Sequence, residues 1–301
     1  MLAAATAVGG PRLAWGRSDA ESLARALRDS LTPAQQRDLV LPWDDGRRTH
    51  AGNNWHVVRE TIGRAYTPDQ RQVIEDIVQS LTSEDGHERL TRSMRDDAGG
   101  LDNYSAAMFD DGSGRLAFVL TGRHLTMRAD SGAEDGVFGG PVFYGHAVEF
   151  NERPDHPGNV WWTQARAASK IYYALDARDR ERALVDGRSP RDDESSVRLH
   201  GGPAFTGARV GDFADDQRDL VADVVDEMLA PYREADAEAV RKVIDGRGGI
   251  DQLHLTFYED GDLPDEHGVW DRWKIEGPGL AWYFRGSPHV HAWLHVGSAV
   301  S

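Results

Sequence analysis

The feature that most narrows what this chain can fold into is internal repetition, because a repeated element order fixes half of the architecture once the other half is known. Asp69-Gln70-Arg71 returns as Asp216-Gln217-Arg218, 147 residues further on. Matching apolar residues follow: Val73, Ile74, Ile77, Val78 and Leu81 against Leu220, Val221, Val224, Val225 and Met228. That spacing is one face of an amphipathic helix. Gly99-Gly100-Leu101-Asp102 and Phe109-Asp110-Asp111-Gly112 then return as Gly248-Gly249-Ile250-Asp251 and Tyr258-Glu259-Asp260-Gly261, both at an offset of 149. A fainter correspondence extends upstream, where Leu31 to Arg37 and Leu39-Val40 resemble Leu175 to Arg182 and Ala183-Leu184. Downstream, Leu116-Ala117-Phe118 and Gly122 resemble Leu280-Ala281-Trp282 and Gly286.

Each copy reads helix, helix, strand, strand, strand. In the first copy the pattern predicts elements over 19–30, 68–82, 86–97, 103–109, 115–121 and 124–128; in the second, over 160–174, 214–230, 234–246, 252–258, 271–276, 280–285 and 289–296. Short strands after helices, joined by hairpin-like turns such as Asp110-Asp111-Gly112-Ser113-Gly114, point to an α+β fold with mostly antiparallel sheet. Two diverged copies imply a pseudo-twofold molecule. The expected organisation is a first half over 19–150 and a second over 151–301 in one compact unit, preceded by a disordered segment or leader remnant at 1–18.

Composition then restricts the chemistry. With 50 Asp+Glu against 34 Lys+Arg, the formal charge of −16 repels a nucleic-acid backbone. The absence of cysteine removes thiolate nucleophiles, Fe–S clusters and Cys-ligated zinc, so any metal must sit on imidazole or oxygen. The apolar stretch from Met1 to Val8 is far shorter than the ~20 residues of a membrane span. It reads either as the tail of a secretory leader or as an unstructured terminus, which leaves the location cytoplasmic or exported. No Gly-x-Ser-x-Gly elbow, His-Glu-x-x-His helix or phosphate-binding glycine loop is present.

The sharpest chemical signal is His289-Val290-His291, set among Trp282-Tyr283-Phe284 and Trp293-Leu294-His295. On a strand, residues i and i+2 face the same way about 6–7 Å apart, so both imidazoles can converge on one ion. Aligning the copies through Gly122 and Gly286 sets His124 opposite His289 and offers a third imidazole from the other half. Three histidines with an open position suit a mononuclear copper, iron or zinc site. His295 is in phase with the pair but about 13 Å along the strand from His291, too far for the same ion. His56, His146, His200 and His254 read as structural, and Glu149 and Glu276 as acidic residues near strands that could serve as ligand or base. Asn53-Asn54-Trp55-His56 reads as a packed loop in preference to a pocket lining, and Gly139 to Gly145 as a glycine-rich turn.

The order of segments resembles an uncharacterised bacterial family, domain of unknown function 3500. The resemblance is carried by Gln70-Arg71 with its helix, Gly122-x-His124-Leu125, the Pro141-x-Phe143-x-Gly145 turn, the Arg180-x-Arg182-Ala183 helix, the Gln217 helix, Ile275-x-Gly277-Pro278 and His289-x-His291. It covers roughly residues 20–297. It implies a secretion signal and a metal-site geometry, and no particular reaction. Two departures stand out: the family pattern has a second histidine where this chain has Arg123, and an Arg-Asp pair where Leu294-His295 stands. The combined expectation is a metal-dependent enzyme in which His124, His289 and His291 hold one ion. Copper or iron is preferred over zinc, with oxidoreductase chemistry on a small molecule. The competing expectations are a zinc-type hydrolase and a non-catalytic binding or structural module with incidental histidines.

Overall fold

The computed structural model describes residues 20–130, 136–148, 156, 158–201, 205–259 and 269–297. Glu149 and the 1–18 segment lie outside them. The helices are α1 (Ala20–Asp29), α2 (Pro33–Leu39), α3 (Ile62–Ala65), α4 (Pro68–Leu81), α5 (Glu84–Ala98), α6 (Trp162–Ala174), α7 (Ala177–Ala183), α8 (Asp215–Leu229) and α9 (Glu234–Gly246). The strands are β1 (Val40–Pro42), β2 (Ser105–Asp110), β3 (Leu116–Gly122), β4 (Leu125–Asp130), β5 (Val142–His146), β6 (Leu184–Val185), β7 (Ala208–Arg209), β8 (His254–Tyr258), β9 (Arg272–Gly277), β10 (Leu280–Arg285) and β11 (Val290–Val296). The fold is α+β, as the alternation of patterns predicts.

The strands form one sheet in the order β1-β2-β3-β4-β5-β11-β10-β9-β8-β6, with β7 paired to β8. The short edge strands β1 and β6 run parallel to their neighbours, and every other pairing is antiparallel. The two runs of strands meet where β5 pairs with β11, Tyr144 opposite Ala292.

The repeated motifs do the same physical work in both runs. Gln70 Oε1 accepts from the N–H of Thr67 at the start of α4, and its amide donates to the Ser30 carbonyl just beyond α1. Gln217 Oε1 accepts from the N–H of Ala214, and its amide donates to the Ala174 carbonyl at the end of α6. Each glutamine thus satisfies an orphan donor of one helix start while tying down the end of another helix. The arginine beside it reaches the aspartate of the glycine motif: Arg71 to Asp102 at 2.7 Å, Arg218 to Asp251 at 3.8 Å. The turn after α4 also meets the turn after α8 reciprocally, Ser83 N–H donating to Pro231 and Arg233 N–H to Leu81.

One face of the sheet is apolar and lies under the helices. Met108 and Phe118 pack there with Leu27 and Ile74, and Trp273, Trp282 and Phe284 with Trp162 and Ala165. The opposite face carries Thr126, Arg128, Phe143, His291, Trp293 and Tyr283, in one layer by strand register. Loops cover it: Trp55 donates to Thr126, Arg128 donates to the carbonyls of Arg48 and His50, and the Ala51 N–H reaches Glu194 from the second half. Asn53-Asn54-Trp55-His56 is accordingly a packed loop, with His56 exposed.

Residues 142–146, read from sequence as part of a turn, form the fully buried strand β5 at the centre of the sheet. The reason is local: Gly139-Gly140-Pro141 precede the strand and Gly145 lies within it, and these residues read as a turn.

Candidate metal centre

The site is assembled at one end of the β5–β11 seam. His124 lies in the tight turn between β3 and β4, with φ of 57°, a left-handed conformation in which non-glycine residues are uncommon. Its backbone is held there from two sides. The His124 N–H donates to the Asn53 carbonyl at 2.9 Å, and its carbonyl accepts from the Gly145 N–H at 3.0 Å. The Tyr104 hydroxyl donates to the Arg123 carbonyl, and the Tyr104 ring occupies the space that a side chain at Gly122 would need.

His289 and His291 flank Val290 at the start of β11. His291 pairs across the sheet with Gly145 on one side and Arg285 on the other. The missing side chain at Gly145 makes room for His124: a Cβ there would stand 3.3 Å from the His124 Cβ and collide with the Val290 carbonyl. The three imidazole centroids form a near-equilateral triangle of 4.9, 5.0 and 4.9 Å. One ligand nitrogen from each lies within 4.8 Å of the others. His124 and His291 are buried and His289 half-buried.

The surroundings of His291 favour a neutral, oriented imidazole. His291 Nδ1 is 2.8 Å from Asp192, whose other oxygen accepts from the Trp293 indole at 3.0 Å, while Nε2 is buried with no partner. Burial, opposed by Asp192, pushes the His291 pKa down to about 4, so the ring is neutral at neutral pH. Burial would raise Asp192, but the hydrogen bond from His291, the Arg285 charge and the Trp293 indole outweigh it and bring it to about 2. His124 Nδ1 lies 3.0 Å from Asp97, off the line of a hydrogen bond.

Fit to a metal rests on these donors. A buried ring nitrogen without a partner is costly unless something accepts its lone pair, and three imidazoles are a suitable set of donors for zinc, copper or iron. Little reorientation separates the present triangle from nitrogens about 2.0–2.1 Å from a common ion.

All three histidines expected from sequence are therefore brought together. Counted outward from the β5–β11 seam, the β3–β4 turn that carries His124 and the β9–β10 turn, where Gly279 stands with φ of 83°, hold matching places in the strand order, while His289 precedes β11. The other candidates lie elsewhere. His146 projects to the helix face, fully buried, with Nε2 3.3 Å from Asp96. Glu276 is buried against Lys274 at 2.5 Å and accepts from the Thr206 N–H, with His200 at 3.7 Å. In strand register it shares a row with His254, Ala281 and His295, remote from His291 along the strand.

Sequence reading missed Asp97, Asp192 and Gly145. Asp96-Asp97 did carry a signal, since acidic residues in the last turn of a helix oppose its dipole and call for a local reason. Asp192 sits in a charged loop, Arg191-Asp192-Asp193, with nothing in its spacing to distinguish it.

No helix among the described residues is long and apolar enough to cross a membrane. No curated protein and no solved structure matches the chain. The family model described as protein of unknown function (DUF3500) matches residues 16–297, nearly the whole length, and the chain belongs to that family.

Proposed function

We propose that the chain is a metal-dependent enzyme in which His124, His289 and His291 hold one ion and leave a position open for a small-molecule substrate. The observation that carries this reading is the buried His291 Nε2, partnerless and grouped with one nitrogen each from His124 and His289 within 4.8 Å. Copper or iron is preferred over zinc, and an oxidoreductase over a hydrolase. The all-imidazole donor set is compatible with each metal, and the preference for redox chemistry comes from the export that the family's secretion signals favour, the location being cytoplasmic or exported. Such an ion would supply a Lewis acid or a one-electron couple at the open position. The chain's own part is to keep the His291 ring neutral, to fix ring directions through backbone clamps and carboxylates, and to exclude bulk water from His124 and His291.

The same proposal includes the origin of the site. We read the halves 19–150 and 151–301 as diverged copies related by a pseudo-twofold axis through the β5–β11 seam, packed as one unit. The matched work of Gln70 and Gln217, and the reciprocal bonds between the two interhelical turns, support that reading. On it, only one of the two equivalent turns carries a ligand, His124 against Gly279.

Metal analysis of protein purified without a histidine tag tests the function. About one equivalent of copper or iron, lost in the His289→Ala/His291→Ala double variant with the fold retained, is the expected result. Stoichiometric zinc would instead favour the hydrolase. A folded wild type that retains no metal and takes up none of the three in titration would leave the histidines incidental.

A further inference from the structure

Two carboxylates approach the histidine triangle from opposite layers of the molecule. Asp192 comes from the loop layer. One oxygen is 2.8 Å from His291 Nδ1 and 3.4 Å from Arg285, and the other accepts from the Trp293 indole. Asp97 comes from the last turn of α5, in the helix layer. Its side chain is wholly buried, with one oxygen accepting from the Ala147 N–H at 3.0 Å and standing 3.0 Å from His124 Nδ1. Its second oxygen is buried without a hydrogen-bond partner, and the Arg123 guanidinium stands 3.9 Å from the first.

A carboxylate beside one ring nitrogen of a histidine holds the proton on that nitrogen and leaves the other with its lone pair facing outward, fixing both tautomer and ring direction. At His291 the geometry is complete. At His124 the carboxyl group is placed but the ring is off line, and of the two buried Asp97 oxygens one accepts from the Ala147 N–H while the other has no hydrogen bond to compensate its burial. A cation held on the far side of the His124 ring would supply that compensation and draw the ring into line.

We infer that Asp192 and Asp97 are positioning residues for the metal centre, Asp192 fixing His291 and Asp97 fixing His124 as Nδ1–H tautomers that ligate through Nε2. This rests on the metal reading above. The two residues couple the site to both layers of the fold, so its geometry depends on the loop and the helix being docked at once.

Two measurements on the full chain test it, and they fail separately. The first is the tautomeric state of the histidines in metal-free wild type, from two-bond nitrogen–proton correlations in NMR. Nδ1–H at His291 is expected there, and it should be redistributed in Asp192→Ala but kept in Asp192→Asn, whose amide oxygen still accepts. An Nε2–H His291 in wild type overturns the inference whether or not metal binds. The second is titration with cobalt(II), followed by its visible absorption. Affinity should fall about 10–100-fold in Asp192→Ala and in Asp97→Ala, with a changed band shape, and recover in part in the asparagine variants. Wild-type affinity and spectrum in both alanine variants, with near-UV circular dichroism showing an intact fold, overturn it as well. Wild type that takes up no cobalt removes the metal reading and leaves the tautomer measurement to judge the carboxylates. If either alanine variant fails to fold, the asparagine variants and the wild-type tautomer decide.

Discussion

At the residue scale, the site is built from backbone conformation as much as from imidazoles. His124 occupies a left-handed conformation that costs a non-glycine residue about 1 kcal/mol, and the strain persists because the Asn53 and Gly145 hydrogen bonds fix the turn. His124→Gly should therefore be more stable than His124→Ala by about 1 kcal/mol in urea unfolding, while both lose metal. Equal midpoints would show that the turn is unstrained. Gly145→Ala should be worse than either in stability. Its methyl meets the Val290 carbonyl and the His124 Cβ, neither of which can rotate away, so a loss of about 1–3 kcal/mol is expected together with weakened metal uptake. A variant with wild-type midpoint and full metal content would contradict that placement.

At the element scale, helices were legible where one face is buried and the other wet, and strands where a run of β-formers is set off by turn residues. The helices α4, α5, α8 and α9 and the strands β2 to β4 and β8 to β11 lie within a few residues of where their periodicities place them. The two short edge strands and β5 were not legible: the edge strands span three and two residues, and β5 follows Gly139-Gly140-Pro141 and contains Gly145, which read as a turn. Packing between elements was equally hidden. Gly86 in the first turn of α5 abuts the Pro231 carbonyl in the turn after α8. Alanine at an ordinary helix position gains up to about 1 kcal/mol over glycine. Here Gly86→Ala should instead destabilise by about 1–3 kcal/mol, because the helix would be pushed off the other half. A thermal midpoint at or above wild type would mean that this contact is looser than described.

At the scale of the whole molecule, one sheet joins the strands before and after the β5–β11 seam, and the proposed metal centre takes His124 from the β3–β4 turn and His289 and His291 from the start of β11. Metal binding should therefore stabilise the entire fold, by about 2.7 kcal/mol at a free metal concentration a hundred times the dissociation constant. A thermal midpoint in wild type that does not move with added metal, when metal binds stoichiometrically, would count against a site shared across the seam. High pH should act globally too. Burial raises the pKa of Tyr66, Tyr104 and Tyr144, and raises that of Tyr232 well above the ordinary value. Because the unfolded chain gives up these protons first, near pH 10, the stabilisation is complete below that pH and is lost as pH rises from there towards the folded-state values. Urea midpoints should fall steeply above about pH 10, with phenolate absorbance appearing together with unfolding. Phenolate absorbance near pH 10 in a still-folded protein that persists in a Tyr173→Phe background, which removes the half-exposed ring, would show that these hydroxyls are accessible.

The sequence by itself determined the α+β class, the order of the main helices and strands, the repeated motifs and the three histidines, because each depends on residues close in the chain or on a pattern that recurs. Tertiary structure alone decided that His124 meets the other two. The β5–β11 pairing brings two distant segments into register, and a glycine on β5 leaves the space that the His124 ring enters. It also decided the carboxylates, since Asp97 and Asp192 lie 27 and 99 residues from the histidines they face, and no local period encodes a contact between layers.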